Sequence, residues 1–535
     1  MPDAPDLPAG GGEQRELLVR LHAVIEAKDT EIGVLRSGLD AERELRRRLE
    51  LRVAELERRL DQDSADSGTP TSKESIGARE RRRARRRQRQ ESERDRRKDR
   101  KPGGQPGHPG MGLSRDPDPD ETKPAEPPAE CRRCKAPLAG AAIAGSRWAQ
   151  VFDVEVVRKV TEWLLPGLEC PCCQAVTFAG PPPGAYAGSV SYGPVLNAAA
   201  VVLTAYGNVP PERAAQVMGM LLGVPVSPGW VDKASARLAA QLGKAGFDAV
   251  MLAALAAQDA LAADETPVNV LTPPPPAAPE EAGEHDPDEH KDTASAGTPH
   301  VLIIRTPDGL LTWLQALGSR RKADVGGGIP AAFSGLLMTD GYTGYQHLLS
   351  RLAGIQQCCQ HIIRRCRAVT KLGPGGLQSW AGDIIAILRE AHHAVQDARA
   401  RGSTALDPKL LEELRRRYDE AAAFGITHNR HRGWDTGNHP GYALGRWLQQ
   451  YKEQVFLFTR DFAVDWTNNV SERGAKAAKR HQAVSGYWHS LATLTRWCRI
   501  RSYLDSAAAH GITALDAIRA AIEGNPWLPP LPAII

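Results

Sequence analysis

Residues 335–345 read Gly335-Leu-Leu-Met-Thr-Asp340-Gly341-Tyr342-Thr-Gly-Tyr345, an apolar run that ends on an acid and then a glycine. A short continuous apolar run stopped by a turn signal predicts a strand buried on both faces, with Asp340 at its exit. Upstream, Ala260-Leu-Ala-Ala-Asp264-Glu265-Thr-Pro267-Val-Asn-Val270 repeats the pattern with Asp264 inside the strand. Downstream, Asp465-Trp-Thr-Asn-Asn-Val-Ser-Glu472-Arg473-Gly-Ala-Lys476-Ala-Ala-Lys479-Arg480 has the composition of a helix. A carboxylate on a buried strand is costly unless something compensates it. A strand-end Asp alone is a turn cap. Acids on strand, strand and helix, in that order, predict one site where Asp264, Asp340 and Glu472 hold two Mg²⁺ (or Mn²⁺). Such ions take oxygen ligands, and a pair about 3.5–4 Å apart serves both the attacking and the leaving oxygen of a phosphoryl transfer. Glu265, the next residue along the strand, is expected to point to the opposite face.

On the helix, Lys476 and Lys479 follow Glu472 by four and seven residues and share its face, with Arg473 and Arg480 widening the strip. This basic strip is expected to track a DNA backbone. Solvated i,i+4 pairs are the alternative, and they would account for Lys476 alone.

Charge elsewhere points the same way. Between Arg79 and Lys101 stand fourteen Lys/Arg and five Asp/Glu, a local +9 in a chain of net +4, so the remainder is −5. The run holding Arg81, Arg82, Arg83, Arg85, Arg86 and Arg87 predicts phosphate contact, the alternative being a solvated tail. A chain of 535 residues predicts three or four folded units. Its N-terminus, MPDAPDLPAGGG, lacks a secretory pattern, and the uncharged stretch Gln174–Pro211 is broken by Pro and Gly. The expectation is a cytoplasmic protein without a membrane segment, in which clustered Cys bind metal rather than pair.

Residues 13–62 carry a heptad seam from Leu18 to Leu60, apolar at ten of thirteen positions and interrupted by Lys28, Glu42 and Arg46. A coiled coil, and hence a homo-oligomer, is predicted, with an amphipathic helix lying on its own protein as the alternative. Cys131-Arg-Arg-Cys134 and Cys170-Pro-Cys-Cys173 are two knuckles that suit one structural Zn²⁺. Cys172 fits neither spacing, although a Cys170/Cys172 pairing remains open. The alternating runs Gln150–Val157 and Val160–Leu165 between the knuckles predict a hairpin. Pro211–Leu222 and Pro228–Leu242, separated by a turn and capped by Ser227, have the proportions of either a helix-turn-helix or an ordinary helical hairpin.

These motifs resemble those of the insertion sequence sixty-six transposases, a branch of the DDE transposases. The family's D-E-T-P, D-G-Y-x-x-Y and N-N-x-x-E-R are similar to Asp264–Pro267, Asp340–Tyr345 and Asn468–Arg473. The resemblance extends to the leading coiled coil, to Gly103–His108 (G-G-Q-P-G-H) and to the paired Cys-x-x-Cys. Cys358-Cys-Gln-His361-Ile-Ile-Arg364-Arg365 is similar to the family's C-W-A-H-x-R-R. It departs in a Pro/acid-rich insert at Pro273–Thr298 and in a longer basic run. His361 is either metal-proximal, DNA-contacting, or a core histidine.

The resemblance implies a multidomain α/β protein with a ribonuclease-H-like core and an all-helical insertion. The expected order is coiled coil (13–62), basic and Gly/Pro-rich linker (63–125), zinc module (126–178) and helical region (179–255). The catalytic core then follows in two parts (256–372 and 461–520) around the insertion (373–460). Implied activity is strand cleavage by metal-activated water, then attack of the freed 3′-OH on target DNA. The implied partners are element ends, target DNA and accessory proteins of the same element, at a bacterial nucleoid. The rival readings are a divalent-metal nuclease that cuts without joining and a decayed zinc-bearing DNA-binding protein.

Overall fold

A computed structural model of the chain describes residues 12–61, 80, 84, 113–182, 187–272, 297–372, 376–434 and 437–531, without the side chains of Glu472, Arg473 and part of the first helix. The runs Arg81–Arg83 and Arg85–Arg87, the Gly103–His108 segment and most of the Pro273–Thr298 insert lie outside these residues.

Helix α1 (Gly12–Asp61) is a single rod of fifty residues. Its described seam side chains, Leu21, Ile25, Leu35 and Leu39 among them, are exposed. The knuckle region follows. Strands β1 (Gly167–Glu169) and β2 (Val176–Phe178) pair antiparallel around the second knuckle. The hairpin therefore lies after the runs at 150–165, which have no regular structure and leave Val151, Val154 and Leu164 exposed. The reason is local: the Cys170–Gln174 turn closes β1 on β2, whereas among the described residues no neighbouring strand meets residues 150–165 to complete a ladder.

Four helices precede the sheet: α2 (Pro194–Val201, continued by a π-helical turn to Tyr206), α3 (Pro211–Leu222), α4 (Pro228–Lys244) and α5 (Phe247–Ala256). The α3–α4 turn has Gly223 at φ +63°, and the Ser227 hydroxyl accepts from Trp230 N at 3.2 Å. Helix α4 buries Val231, Ala234, Leu238 and Leu242, and Arg237 is held by Asn197. Asp232, Lys233, Ala240 and Lys244 stay exposed on the other side of the helix, so one buried stripe and one outward face fit a helix-turn-helix and an ordinary helical hairpin alike.

The central sheet has the order β6-β5-β3-β7-β8. Its strands are β3 (Ala260–Pro267), β5 (His300–Arg305), β6 (Thr312–Leu317), β7 (Leu336–Thr339) and β8 (Gly354–Gln357), while β4 (Val270–Thr272) belongs to a small outer ladder. Only β5 runs against the others: β3 pairs antiparallel with β5 and parallel with β7. Helices cover both faces, which is why β3 is apolar at consecutive positions. Leu261 and Ala263 join α2–α5 in one core, whereas Ala260 and Ala262 join the other.

After a short α6 (Lys322–Gly328), α7 (Cys359–Thr370) leads into α8 (Ser379–Ala400), α9 (Pro408–Asn429) and α10 (Pro440–Gln450), which build that second core on Trp380, Ile384, Leu388 and Tyr418. The chain returns through α11 (Asn469–Ser485), β9 (Trp488–Ser490, parallel to β4), α12 (Leu491–Ala509) and α13 (Ala514–Ile522). Helix α12 seals the sheet edge. Ser502 and Ser506 hydroxyls accept from Leu314 N (2.8 Å) and Thr312 N (2.9 Å) of β6, so its outward amides are not left open to another strand. The helices 194–256 share one core with this sheet and with α12 and α13.

Candidate active site

The register of β3 and β7 brings two acids level. The last paired couple is Ala262↔Met338, and Asp264 and Asp340 each lie two residues beyond it on adjacent parallel strands. Neighbouring strands run about 4.8 Å apart, so the two carboxyl-bearing positions share one end of the sheet. Asp264 is half-buried and its Oδ1 accepts from Glu265 N at 3.0 Å. Asp340 accepts from Tyr342 N at 3.0 Å, a tight turn made possible by Gly341 at φ +99°.

Helix α11 is fastened to the Asp264 side of the sheet. Asn468, fully buried, donates to the carbonyl of Ala263 at 2.7 Å. A Cβ on Gly474 would come within 2.6 Å of Ile303 Cγ2, and Ile303 is the ladder partner of Asp264. Paired residues project from the same face, so the turns of α11 that flank Glu472 sit against that face. A second staple comes from the Cys358-Cys-Gln-His361 segment. Cys358 Sγ accepts from Asn468 N at 3.2 Å, and Cys359 N donates to Trp466 O at 2.8 Å. His361 is half-buried in the first turn of α7. Among the described residues no three or more His, Cys, Asp or Glu side chains converge as a metal site, the Glu472 side chain being outside that set.

Glu265 faces away from Asp264, as the strand alternation requires. It lies in the opposite core, where Tyr345 Oη donates to it at 2.7 Å and Arg320 Nε at 2.6 Å. Burial, then the charge of Asp340, pushes its carboxyl up, while Arg320 and the Tyr345 hydrogen bond work against both. Sequence reading missed Arg320, which stands in an unremarkable Gly-Ser-Arg-Arg loop after β6 and carries no motif. It also missed the roles of Asn468, Cys358 and Gly474.

The basic strip is only partly free. Lys476 and Arg480 are exposed and, with Lys479 and Ala483, line an open concavity. Lys479 donates to Pro267 O at 3.1 Å, so it also ties α11 to the end of β3. Further along, His481 stacks on Trp488 at 4.2 Å and meets Asn208 Oδ1 at 3.3 Å, and burial pushes its pKa down to about 4.

The family model described as "Transposase IS66 family" matches residues 189–495, more than half of the chain and all three acidic motifs. The chain belongs to this family. It is thus a transposase by family, a DNA-processing enzyme whose partner is DNA. Comparison with curated proteins gives no match. The matched span starts before α2 and ends in α12, so it takes in both the sheet and the helices 194–256. In this IS66-family chain no single described helix is long and apolar enough to cross a membrane.

The knuckles lie before that span. Each closes on itself alike: Cys131 N donates to Ala136 O and Lys135 N to Cys131 O, as Cys170 N does to Ala175 O and Gln174 N to Cys170 O. Lys135 and Gln174 both sit at positive φ, 62° and 60°. Backbone N–H groups of Cys134 and Arg133 lower the Cys131 thiol, and those of Cys173 and Cys172 lower Cys170. The two pairs do not gather into one four-sulfur group among the described residues.

Proposed function

We propose that this transposase cleaves and joins DNA by divalent-metal phosphoryl transfer at Asp264, Asp340 and Glu472. The observation that carries the reading is the level register of Asp264 and Asp340, with α11 pinned by Asn468 and Gly474 to the Asp264 face. The sheet order, with only its second strand reversed, supports a ribonuclease-H-like core. An all-carboxylate donor set fits Mg²⁺ or Mn²⁺. The chemistry such a pair supplies when bound is activation of the attacking oxygen and stabilisation of the leaving one. The chain's own part is positioning: Asp264 and Asp340 present carboxylates from a rigid sheet, and Asn468 fixes the helix that bears Glu472. Lys476 and Arg480 lead the DNA backbone along that helix, with His361 and Arg473 as further contacts.

One Zn²⁺ held by Cys131, Cys134, Cys170 and Cys173 would join the two preformed knuckles, and the N–H groups aimed at Cys131 and Cys170 favour thiolate. Cys172 contributes its amide to Cys170 rather than a fifth sulfur. The exposed seam of α1 supports a homo-oligomeric coiled coil, and the arginine run 81–87 supplies non-specific DNA affinity.

The deciding experiment incubates purified protein with DNA carrying the element ends, target DNA and Mg²⁺. Asp264→Ala, Asp340→Ala and Glu472→Ala should each lose cleavage and joining by roughly a thousandfold or more while still binding end DNA, since residues acting as one unit fail together. Three variants that still cut would sink the triad. Cleavage by the native chain with no joined product would make it a nuclease.

A further inference from the structure

One basic group beside the acidic centre is neither on α11 nor in any motif. Arg320 lies 2.6 Å from Glu265 and 3.6 Å from Asp340 Oδ2, so one guanidinium stands between a carboxylate sealed in the core and one at the edge of the site. The Glu265 side chain has no exposure at all, whereas those of Arg320 and Asp340 retain about a fifth. Both tyrosines of the D-G-Y-x-x-Y motif hold this pair. The Tyr342 ring stacks on the guanidinium at 4.0 Å and its hydroxyl donates to the Arg320 carbonyl at 2.5 Å, while Tyr345 donates to Glu265. Arg320 is therefore fixed at head and backbone, and the Glu265 contact limits how far its charge can serve Asp340.

We propose that Arg320 is a positioning residue for Asp340, dividing one positive charge between Glu265 and Asp340 and so setting how strongly the acidic centre attracts a divalent cation. The proposal rests on the metal reading given above. It explains why an acid follows Asp264 although it faces the other way: Glu265 draws the guanidinium off Asp340. A fork-shaped guanidinium can address two carboxylates at once, whereas a compact ammonium cannot.

Two conservative changes should then act in opposite directions on Mn²⁺ binding by the full-length protein, followed through the free ion by electron paramagnetic resonance. Glu265→Gln keeps the volume and a hydrogen bond for Tyr345 but releases Arg320 to neutralise Asp340, so affinity should fall, by about tenfold at the charge separations involved. Arg320→Lys leaves a point charge with the buried Glu265 and frees Asp340, so affinity should rise a few-fold. A merely structural network would weaken binding in both variants. Weakening in both, or no change in Glu265→Gln, overturns the proposal. Should Arg320→Lys not fold, Arg320→Gln takes its place: with the positive charge removed from Asp340, affinity should rise, and a fall overturns the proposal. Asp340→Asn separates the two levels of inference: if it leaves Mn²⁺ binding intact, the metal reading itself fails, and the proposal with it.

Discussion

In the sheet region the apolar positions are covered from within the chain. Leu261, Ala263, Leu302 and Ile304 meet one helical layer, Ala262 and Met338 another, and the β6 edge is closed by serines of α12. In the N-terminal region the same kind of position has no cover. Leu35 of α1 is 64% exposed and Val151, between the knuckles, 92%. The two knuckles are formed but stand apart. The contrast teaches that the sheet half covers its own apolar positions, whereas the described N-terminal third leaves its seam exposed and its thiols exposed or half-exposed, which is what the proposed coiled coil and zinc site call for. Changes in the first region should therefore damage folding and chemistry together, and changes in the second should leave the sheet untouched.

The largest effect is expected at the seam between α11 and β5. Gly474→Val puts a branched side chain where even a Cβ would stand 2.6 Å from Ile303. Overpacking of this kind costs about 1–3 kcal/mol. Lifting the Glu472 helix by an ångström should lower cleavage roughly a hundredfold. Cleavage at the native rate, with a native melting temperature, would mean that α11 is not pinned as described.

The second test is pH. His481 is packed on Trp488 and Trp497, and its pKa falls to about 4 against about 6.5 for a free histidine. The folded state resists protonation, so this contribution is complete above about pH 6.5 and is lost as pH falls toward 4. The loss reaches at most about 3 kcal/mol. Urea unfolding at pH 7 and pH 4.5 should show it in the native chain and show less of it in His481→Gln. An equal loss in both would exonerate this residue.

How far this was readable beforehand differs by region for the same physical reason. The strand-end acids and the two buried strands follow from local composition, because burial on both faces leaves an unbroken apolar run, and so do long helices at Gln378–Ala400 and Pro408–Ala423, the second of which runs on to Asn429. Asn468, Gly474 and Arg320 do not, because each acts through a partner more than fifty residues away: Ala263, Ile303 and Glu265. Sequence periodicity reports a residue's own face, not what meets it. In the helices 211–244 the turn and cap are legible, and the burial of Val231, Leu238 and Leu242 is the inner stripe that a helix-turn-helix and an ordinary hairpin both pack. The runs at 150–165 alternate like strands, yet alternation without a neighbouring strand gives no ladder.

A third, smaller effect is expected at the covered edge. Ser502→Ala leaves the Leu314 amide buried without its acceptor, which costs about 1–3 kcal/mol. Ser506→Ala should do the same to Thr312. Because each serine serves a different amide, the double variant should lose about the sum, read by chemical denaturation. A double variant no worse than either single would mean that the edge opens as one piece.

The smallest effect on the sheet should come from the largest deletion. Removing residues 1–62 takes away α1, along which lie the exposed ion pairs Arg20–Glu16, Lys28–Glu31 and Arg43–Asp40. Exposed pairs of this kind contribute at most about 1 kcal/mol each, and none reaches the core. The melting temperature of the remaining chain should therefore stay within about one degree of the native value, less than the shift of several degrees that 1 kcal/mol brings in a small domain. What should change is the particle. The described seam side chains of α1 are exposed over much of its fifty residues, and burial of such a seam is what drives helices to associate. Light scattering should accordingly give a mass per particle of at least two chains for the native protein and fewer for the truncated one. If the number of chains per particle is the same with and without α1, assembly runs through another surface. If instead the melting temperature falls by many degrees, the N-terminal third supports the sheet after all, and the division drawn between the two regions fails.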